Sequence, residues 1–242
     1  MTLFLTSSPG GFPGRNAPRR ACTLNEKNHF VDHLKALWKP DMRVLFLASS
    51  RDDYAANDAQ SSMLREAFPL SGLPIACMDV CDGRNPNLDP KDYDFLILGG
   101  GHVPTQNAFF QEIGLKEALS GFDGILMGIS AGTMNCAATV YAQPELPGED
   151  TDPDYRRFLP GLGLTDIMVL PHYQMLRGER LDGLRIIEDI TLPDSVGRAI
   201  HVLVDGSYIL VNDQGATLWG EGYLARDGVL TQICAEGESL AL

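Results

Sequence analysis

The chain lacks any apolar run long enough to cross a bilayer, and its first residues lack the basic segment that begins a signal peptide. Its five cysteines are odd in number and show neither C-x-x-C nor paired zinc-ribbon spacing. We therefore expect a cytoplasmic protein with reduced thiols, no membrane partner and no metal site.

Positive charge is also scarce. The sequence holds 19 Lys and Arg residues against 32 Asp and Glu residues, which gives a formal net charge of -13. Because nucleic acids are bound through clustered positive charge, this balance argues against a nucleic-acid partner. A chain of 242 residues with 44% hydrophobic content is able to form one substantial core, so we expect a single domain over residues 1–242.

The glycine patterns of the Walker A loop and of the dinucleotide-binding turn are both absent, so no nucleotide cofactor is expected. Glycine itself is abundant, and Gly99, Gly100 and Gly101 directly follow an apolar run. A bare backbone at the end of a strand is well suited to donate N–H groups to an oxyanion beside a nucleophile. This triplet is therefore a candidate oxyanion loop.

Alternating strand and helix patterns predict the fold class. Apolar runs at 3–5, 44–48, 73–78, 93–98, 124–129 and 167–170 indicate buried strands, and periodic segments at 26–38, 57–68 and 181–190 indicate helices. Asp-Gly and similar turn signals after residue 199 indicate antiparallel hairpins. We predict an α/β fold with a mostly parallel central sheet, helices on both faces and antiparallel hairpins at the C-terminal end.

A nucleophile elbow is predicted around Ser130. An apolar strand runs into the sequence Gly-Ile-Ser-Ala-Gly, and small residues suited to start a helix follow it. Gly128 and Gly132 lie where a side chain would clash with the approaching backbone. The helix that begins at Ala131 would offer free N–H groups to an oxyanion formed beside Ser130.

A base and an acid are needed to activate such a serine. His172 follows the predicted strand at 167–170 and a rigid proline, so we expect it to face the same cleft as Ser130. The segment 139–161 is acidic, and one of its carboxylates is expected to orient His172. A loop rich in glycine, proline and arginine at 7–20 is either a surface crossover or part of the active-site rim.

Three motifs in this order, Gly99-Gly100-Gly101, Gly128-Ile129-Ser130-Ala131-Gly132 and Pro171-His172-Tyr173, resemble those of the peptidase E group of serine peptidases. The resemblance is strongest over residues 93–173. It implies a fold similar to class I glutamine amidotransferases, and it implies an activity like that of the α-aspartyl dipeptidases and cyanophycinases in the group.

The resemblance also implies residue roles: Ser130 as nucleophile, His172 as base, and the N–H groups of Gly100, Gly101 and Ala131 as the oxyanion hole. The acidic triad member of peptidase E corresponds to Glu145 here, where peptidase E has aspartate. Three further carboxylates remain alternatives to Glu145, namely Glu149, Asp150 and Asp205. Peptidase E selects an N-terminal aspartate, for which Arg180 or Arg177 would be the partner.

We therefore expect a serine peptidase or dipeptidase that hydrolyses short peptides, with N-terminal Asp as one possible preference, through a Ser-His-Glu triad and an acyl-enzyme. Ile129 stands where peptidase E has tryptophan, which is a departure from the pattern of that group. The alternatives are an amidase or esterase on a non-peptide substrate, and a catalytically silent binding protein on the same fold. The oligomeric state and the pathway stay open.

Overall fold

The computed structural model describes residues 1–12 and 20–242, so residues 13–19 of the loop predicted at 7–20 lie outside the described part. Five parallel strands form one side of the largest sheet, the central sheet of the fold, in the order β1-β5-β4-β2-β3, with β3 at the edge. They are β1 (Thr2–Thr6), β2 (Met42–Leu47), β3 (Ile75–Cys81), β4 (Phe95–Leu98) and β5 (Ile125–Ile129). The apolar runs of the sequence thus give the parallel core of the sheet.

The C-terminal half adds short strands, most of them antiparallel. They are β6 (Thr139–Tyr141), β7 (Phe158–Pro160), β8 (Met168–Leu170), β9 (Arg180–Leu181), β10 (Leu184–Arg185), β11 (Ala199–Leu203), β12 (Tyr208–Asn212), β13 (Gly215–Trp219), β14 (Gly222–Arg226), β15 (Val229–Cys234) and β16 (Ser239–Ala241). Strands β12, β13 and β16 extend the central sheet beyond β1 in antiparallel pairs. The hairpins predicted after residue 199 are therefore present.

A second sheet has the order β15-β14-β11-β8, in which β8 and β11 are parallel neighbours. Val202 of β11 pairs with Leu170 of β8, so the two strands end side by side. The residues that follow β8 and β11 therefore lie close to one another.

The helices are α1 (Phe30–Leu37), α2 (Tyr54–Leu70), α3 (Val103–Glu112), α4 (Leu115–Ala118), α5 (Ala131–Asn135), α6 (Tyr173–Leu176) and α7 (Leu192–Asp194), with short 3-10 turns at Lys27–His29 and Pro90–Asp92. Side chains alternate along the sheet, since Leu3 and Leu5 join one hydrophobic cluster and Phe4 joins the other. Helices α1 and α2 cover the Phe4 side, while α3 and α4 cover the opposite side. Each fully buried side chain of this kind stabilises the fold by about 1.5–3 kcal/mol.

The helix predicted over residues 181–190 forms only in its second half, and there as a π-helix. The segment forms a hairpin of β9 and β10, followed by a π-helix at Ile186–Thr191. Asp182 and Gly183 have φ values of 50° and 90°, the left-handed conformation of a tight hairpin turn. The Asp-Gly turn therefore places Leu184 in a strand, while Ile187 and Ile190 lie on the π-helix that follows. In the described part of the chain, no helix combines the length and the apolarity that a membrane crossing requires.

Candidate active site

Ser130 lies at the corner between β5 and α5, with φ of 51° and ψ of -112°. A non-glycine residue with positive φ is strained by about 1–3 kcal/mol, and such strain is typical of functional corners. The corner is tight on both sides. A Cβ atom at Gly128 would lie 2.6 Å from the backbone nitrogen of Thr133, and one at Gly132 would lie 2.2 Å from the carbonyl oxygen of Leu98.

His172 follows β8 and also has a left-handed backbone, with φ of 62°. Its backbone N–H donates to Ser7 Oγ over 2.8 Å. The imidazole Nε2 lies 2.9 Å from Ser130 Oγ, and Nδ1 lies 2.7 Å from Asp205 Oδ1. Histidine therefore bridges the serine hydroxyl and a carboxylate.

The chemistry of the carboxylate determines which nitrogen of His172 carries the proton. An ionised carboxylate only accepts hydrogen bonds, so Nδ1 of His172 carries the proton and donates it to Asp205. Nε2 is then the acceptor for the hydroxyl hydrogen of Ser130. The tautomer is the one in which the imidazole acts as a base toward serine.

Asp205 is held by more than the histidine. Ser7, which is fully buried at the end of β1, donates its hydroxyl to Asp205 Oδ1 over 2.6 Å. Partial burial opposes ionisation of Asp205, but the hydrogen bonds from His172 and Ser7 outweigh it and lower the pKa of the carboxyl. Asp205 therefore stays ionised in the pH range where His172 acts as a base.

The four candidate carboxylates have different partners. Asp205 contacts His172, Glu149 contacts His102 Nε2 over 2.8 Å, and Asp150 pairs with Arg157. Glu145, the residue implied by the family resemblance, lies on the wall of the cavity that Ser130 and His172 also line. The geometry thus places Asp205, and not Glu145, in the position of a triad acid.

Glu145 nevertheless has an unusual environment. Solvent reaches part of the residue, but the surrounding protein desolvates its carboxyl group, and this burial together with repulsion from Glu149 raises the pKa of Glu145 to about 7. Glu149 is fixed nearby because its Oε2 accepts the N–H groups of Glu145 and Leu146 over 2.8 and 2.9 Å. The backbone N–H of Val103 and the nearby His172 favour the ionised form but only partly offset these effects, so a carboxyl with a raised pKa faces the cavity.

The predicted oxyanion donors differ in availability. The N–H of Gly100 donates to Gln60 Oε1 over 3.2 Å, so it is already occupied. The N–H groups of Gly101 and Ala131 donate to no atom of the described residues. Gly100 still passes close to the nucleophile, since a Cβ there would lie 3.4 Å from Ser130 Cβ.

The cavity beside Ser130 has a volume of about 280 Å³. Most of its lining is apolar, and polar groups come from Ser130, Gln143, Glu145 and His172; the apolar residues are Met134, Leu170, Pro171, Met175, Leu176 and Ile186. The two predicted arginines, Arg177 and Arg180, are exposed and do not line it. Arg180 Nη1 instead donates to the carbonyl of Gly183 over 2.7 Å.

A second cavity of about 230 Å³ lies away from Ser130, between α3, α4 and β7. Its polar lining comes from Asn107, Gln111, Lys116 and Glu117. It holds no pairing of a nucleophile with a base, so the chemistry points to the cavity at Ser130. Across residues 1–12 and 20–242, no three His, Cys, Asp or Glu side chains are grouped so that they could hold a metal ion.

The sequence analysis missed Ser7 and Gln60, and it named Asp205 only as an alternative to Glu145. A signal for Ser7 and Asp205 existed, because each closely follows an apolar run that forms a strand. Gln60 carried no such signal, since it lies within a helix far from the motifs in sequence.

No protein-family model matches the sequence, and no curated protein matches it. One solved structure, called a "putative peptidase E protein" from Listeria monocytogenes EGD-e, is similar to this chain with a TM-score of 0.56 and 14% sequence identity. The match covers 96% of this chain and 98% of that one. At this identity the likeness establishes a peptidase E-like fold.

Proposed function

We propose that this chain is a serine hydrolase of the peptidase E type that cleaves short peptides through an acyl-enzyme on Ser130. The observation that carries the proposal is the position of His172, with Nε2 at 2.9 Å from Ser130 Oγ and Nδ1 at 2.7 Å from Asp205 Oδ1. A strained serine corner and a peptidase E-like fold support it. A class I glutamine amidotransferase-like architecture is part of the same proposal.

In this mechanism His172 Nε2 takes the hydroxyl proton of Ser130 while Oγ attacks the carbonyl carbon of the substrate. The oxygen of the tetrahedral intermediate gains negative charge and accepts hydrogen bonds from the N–H groups of Gly101 and Ala131. His172 then gives its proton to the leaving amine, and Asp205 stabilises the imidazolium until that happens. Water, activated by the same histidine, releases the acyl group from Ser130.

The size of the cavity supports a small substrate. A volume of about 280 Å³ is at the lower end of the roughly 300–1,000 Å³ typical of ligand pockets. Its apolar walls favour an apolar side chain, and the carboxyl of Glu145 is suited to a free amino group. We therefore propose short peptides with a free amino terminus and an apolar first residue as the preferred class.

A preference for N-terminal Asp would need a cation in the cavity, and Arg177 and Arg180 both lie outside its lining. Peptides that begin with Asp therefore form the second arm of the substrate test. Simple esters and non-peptide amides form the third arm, which separates a peptidase from an esterase or amidase.

The decisive experiment compares wild type, Ser130→Ala and Ser120→Ala, where Ser120 is an exposed serine outside the site. We expect wild type and Ser120→Ala to react with a fluorophosphonate and to hydrolyse short peptides. Ser130→Ala should lose labelling and at least about 10⁴-fold in kcat, because the members of such a triad act as a unit. Wild type that neither labels nor hydrolyses any of the three substrate classes would favour a silent binding protein.

A further inference from the structure

The glycine loop between β4 and α3 has no side chains, so its backbone polar groups must find partners elsewhere. Two glutamines supply them. Gln60 approaches from α2, on one face of the central sheet, and Gln106 approaches from α3, on the other face. The loop is thus held from both sides by side-chain amides.

Gln60 pairs with both polar groups of Gly100. Its Nε2 donates to the carbonyl oxygen of Gly100 over 3.0 Å, and its Oε1 accepts the N–H of Gly100 over 3.2 Å. The side-chain amide of Gln60 thus forms the same pair of hydrogen bonds that a residue of a neighbouring strand would form. This pair fixes the orientation of the backbone at Gly100. Gln60 also packs closely against the preceding residue of the loop, since a Cβ added at Gly99 would lie 2.8 Å from Gln60 Oε1.

Gln106 is fully buried, and its Nε2 donates to the carbonyl oxygen of Gly99 over 2.8 Å. Its Oε1 accepts from Asn135 Nδ2 over 3.1 Å. The same Nδ2 lies 3.2 Å from the carbonyl oxygen of Ala131, at the start of α5. One buried amide network therefore ties the glycine loop to the helix that follows Ser130.

These contacts occupy three polar groups of the loop, namely the carbonyls of Gly99 and Gly100 and the N–H of Gly100. Within residues 1–12 and 20–242, the N–H of Gly101 has no hydrogen-bond partner, and neither has that of Ala131 across the corner. We propose that Gln60 and Gln106 are positioning residues that hold the loop so that Gly101 N–H, and not Gly100 N–H, completes the oxyanion hole with Ala131. This inference rests on the proposed serine hydrolase function.

A positioning role of this kind has a kinetic signature. The oxyanion exists only in the transition state and the tetrahedral intermediate, so loosening its donor lowers kcat and leaves KM nearly unchanged. A purely structural role would instead lower the amount of folded protein. The two roles are therefore separable by measurement on folded variants.

The test uses Gln60→Met, which removes both hydrogen bonds at similar volume, and Gln60→Glu, which removes the donor and places a carboxylate against the carbonyl of Gly100. Gln214→Met is the matched control, because Gln214 lies in an exposed turn. The readouts are the rate constant for fluorophosphonate labelling of Ser130, kcat and KM for p-nitrophenyl butyrate, and the thermal unfolding midpoint.

We expect Gln60→Met to lose about 10- to 100-fold in labelling rate and in kcat, which does not exceed the effect of deleting an oxyanion donor. The KM of this variant should stay within about threefold of the wild-type KM. For Gln60→Glu, the labelling rate relative to wild type should rise as the pH falls from 8 to 5.5. A protonated carboxyl donates to the Gly100 carbonyl again, so acid restores the lost contact.

The inference is overturned if both folded variants label within twofold of Gln214→Met at pH 8. If Gln60→Met does not fold, Gln60→Glu decides the matter, since a pH-independent ratio to wild type contradicts the positioning role. Failure of the underlying function has a different appearance, because wild type and Gln214→Met would then also fail to label.

Discussion

Asp205 and Glu145 are both acidic residues near one histidine, and their surroundings give them different chemistry. Asp205 accepts hydrogen bonds from His172 and Ser7, which lower its pKa. Glu145 lies on the cavity wall beside Glu149, where burial and repulsion raise its pKa to about 7. Carboxylates whose environments push their pKa values apart commonly have separate tasks in one site.

Replacing each carboxyl by its amide separates these tasks. Asp205→Asn should lower kcat by about 10³- to 10⁴-fold, because the amide no longer holds the correct tautomer of His172 or stabilises the imidazolium. Glu145→Gln should keep most of kcat and raise KM for peptides with a free amino terminus, while KM for N-acetylated peptides stays the same. Steady-state kinetics on both peptide types measures the difference. A kcat loss larger in Glu145→Gln than in Asp205→Asn would return the triad role to Glu145.

Among the elements, the corner between β5 and α5 was predictable because its requirement is local. Gly-Ile-Ser-Ala-Gly has glycines where backbone comes within contact distance. The turn that follows approaches Gly128 at Thr133, and the neighbouring strand β4 approaches Gly132 at Leu98. The segment 181–190 shows the opposite outcome. Its helical spacing overlaps an Asp-Gly turn signal, so the first half forms a hairpin and only the residues from Ile186 onward are helical, as a π-helix.

Gly132→Ala is a direct test of the corner. Its Cβ would lie 2.2 Å from the carbonyl oxygen of Leu98, so backbone must shift, and we expect the free energy of unfolding to fall by at least about 2 kcal/mol. Gly178→Ala is the control, because a Cβ there meets nothing within 4 Å. Urea unfolding of both variants gives the comparison. Equal stabilities would show that the close approach at Gly132 imposes no constraint.

On the scale of the whole molecule, strand topology assembles the site. Ser130 follows β5 and Ser7 follows β1 in the central sheet, while His172 and Asp205 follow the parallel neighbours β8 and β11. Residues separated by as many as 198 positions, such as Ser7 and Asp205, thereby come within hydrogen-bond distance. The site consequently depends on the docking of both sheets and not on any one segment.

The acidic surroundings of the cavity also affect global stability. Glu145 has a pKa of about 7 in the folded protein, against 4.5 for an unperturbed glutamate. Between these values the folded state binds more protons than the unfolded state, so this group makes the protein less stable as the pH rises through that window. Glu145→Gln removes the effect.

We therefore expect Glu145→Gln to be more stable than wild type at pH 8.5 and of similar stability at pH 4.5. The measurement is the difference in free energy of unfolding between the two proteins at each pH, by urea denaturation. Glu66→Gln, at an exposed position on α2, is the control and should show no such pH-dependent difference. A stability gain that is the same at both pH values would contradict a raised pKa for Glu145.

The sequence by itself determined the parallel core, the strained corner at Ser130 and the choice of His172, because apolar periodicity and turn chemistry are local properties. Tertiary structure decided which carboxylate meets His172 and which N–H groups of the glycine loop are free. Both depend on pairings between distant elements, β8 with β11 and α2 with the loop after β4. The sequence of one segment does not specify which distant segment will pack against it. Only the folded arrangement therefore shows that Asp205, and not Glu145, contacts His172, and that Gln60 occupies the N–H of Gly100.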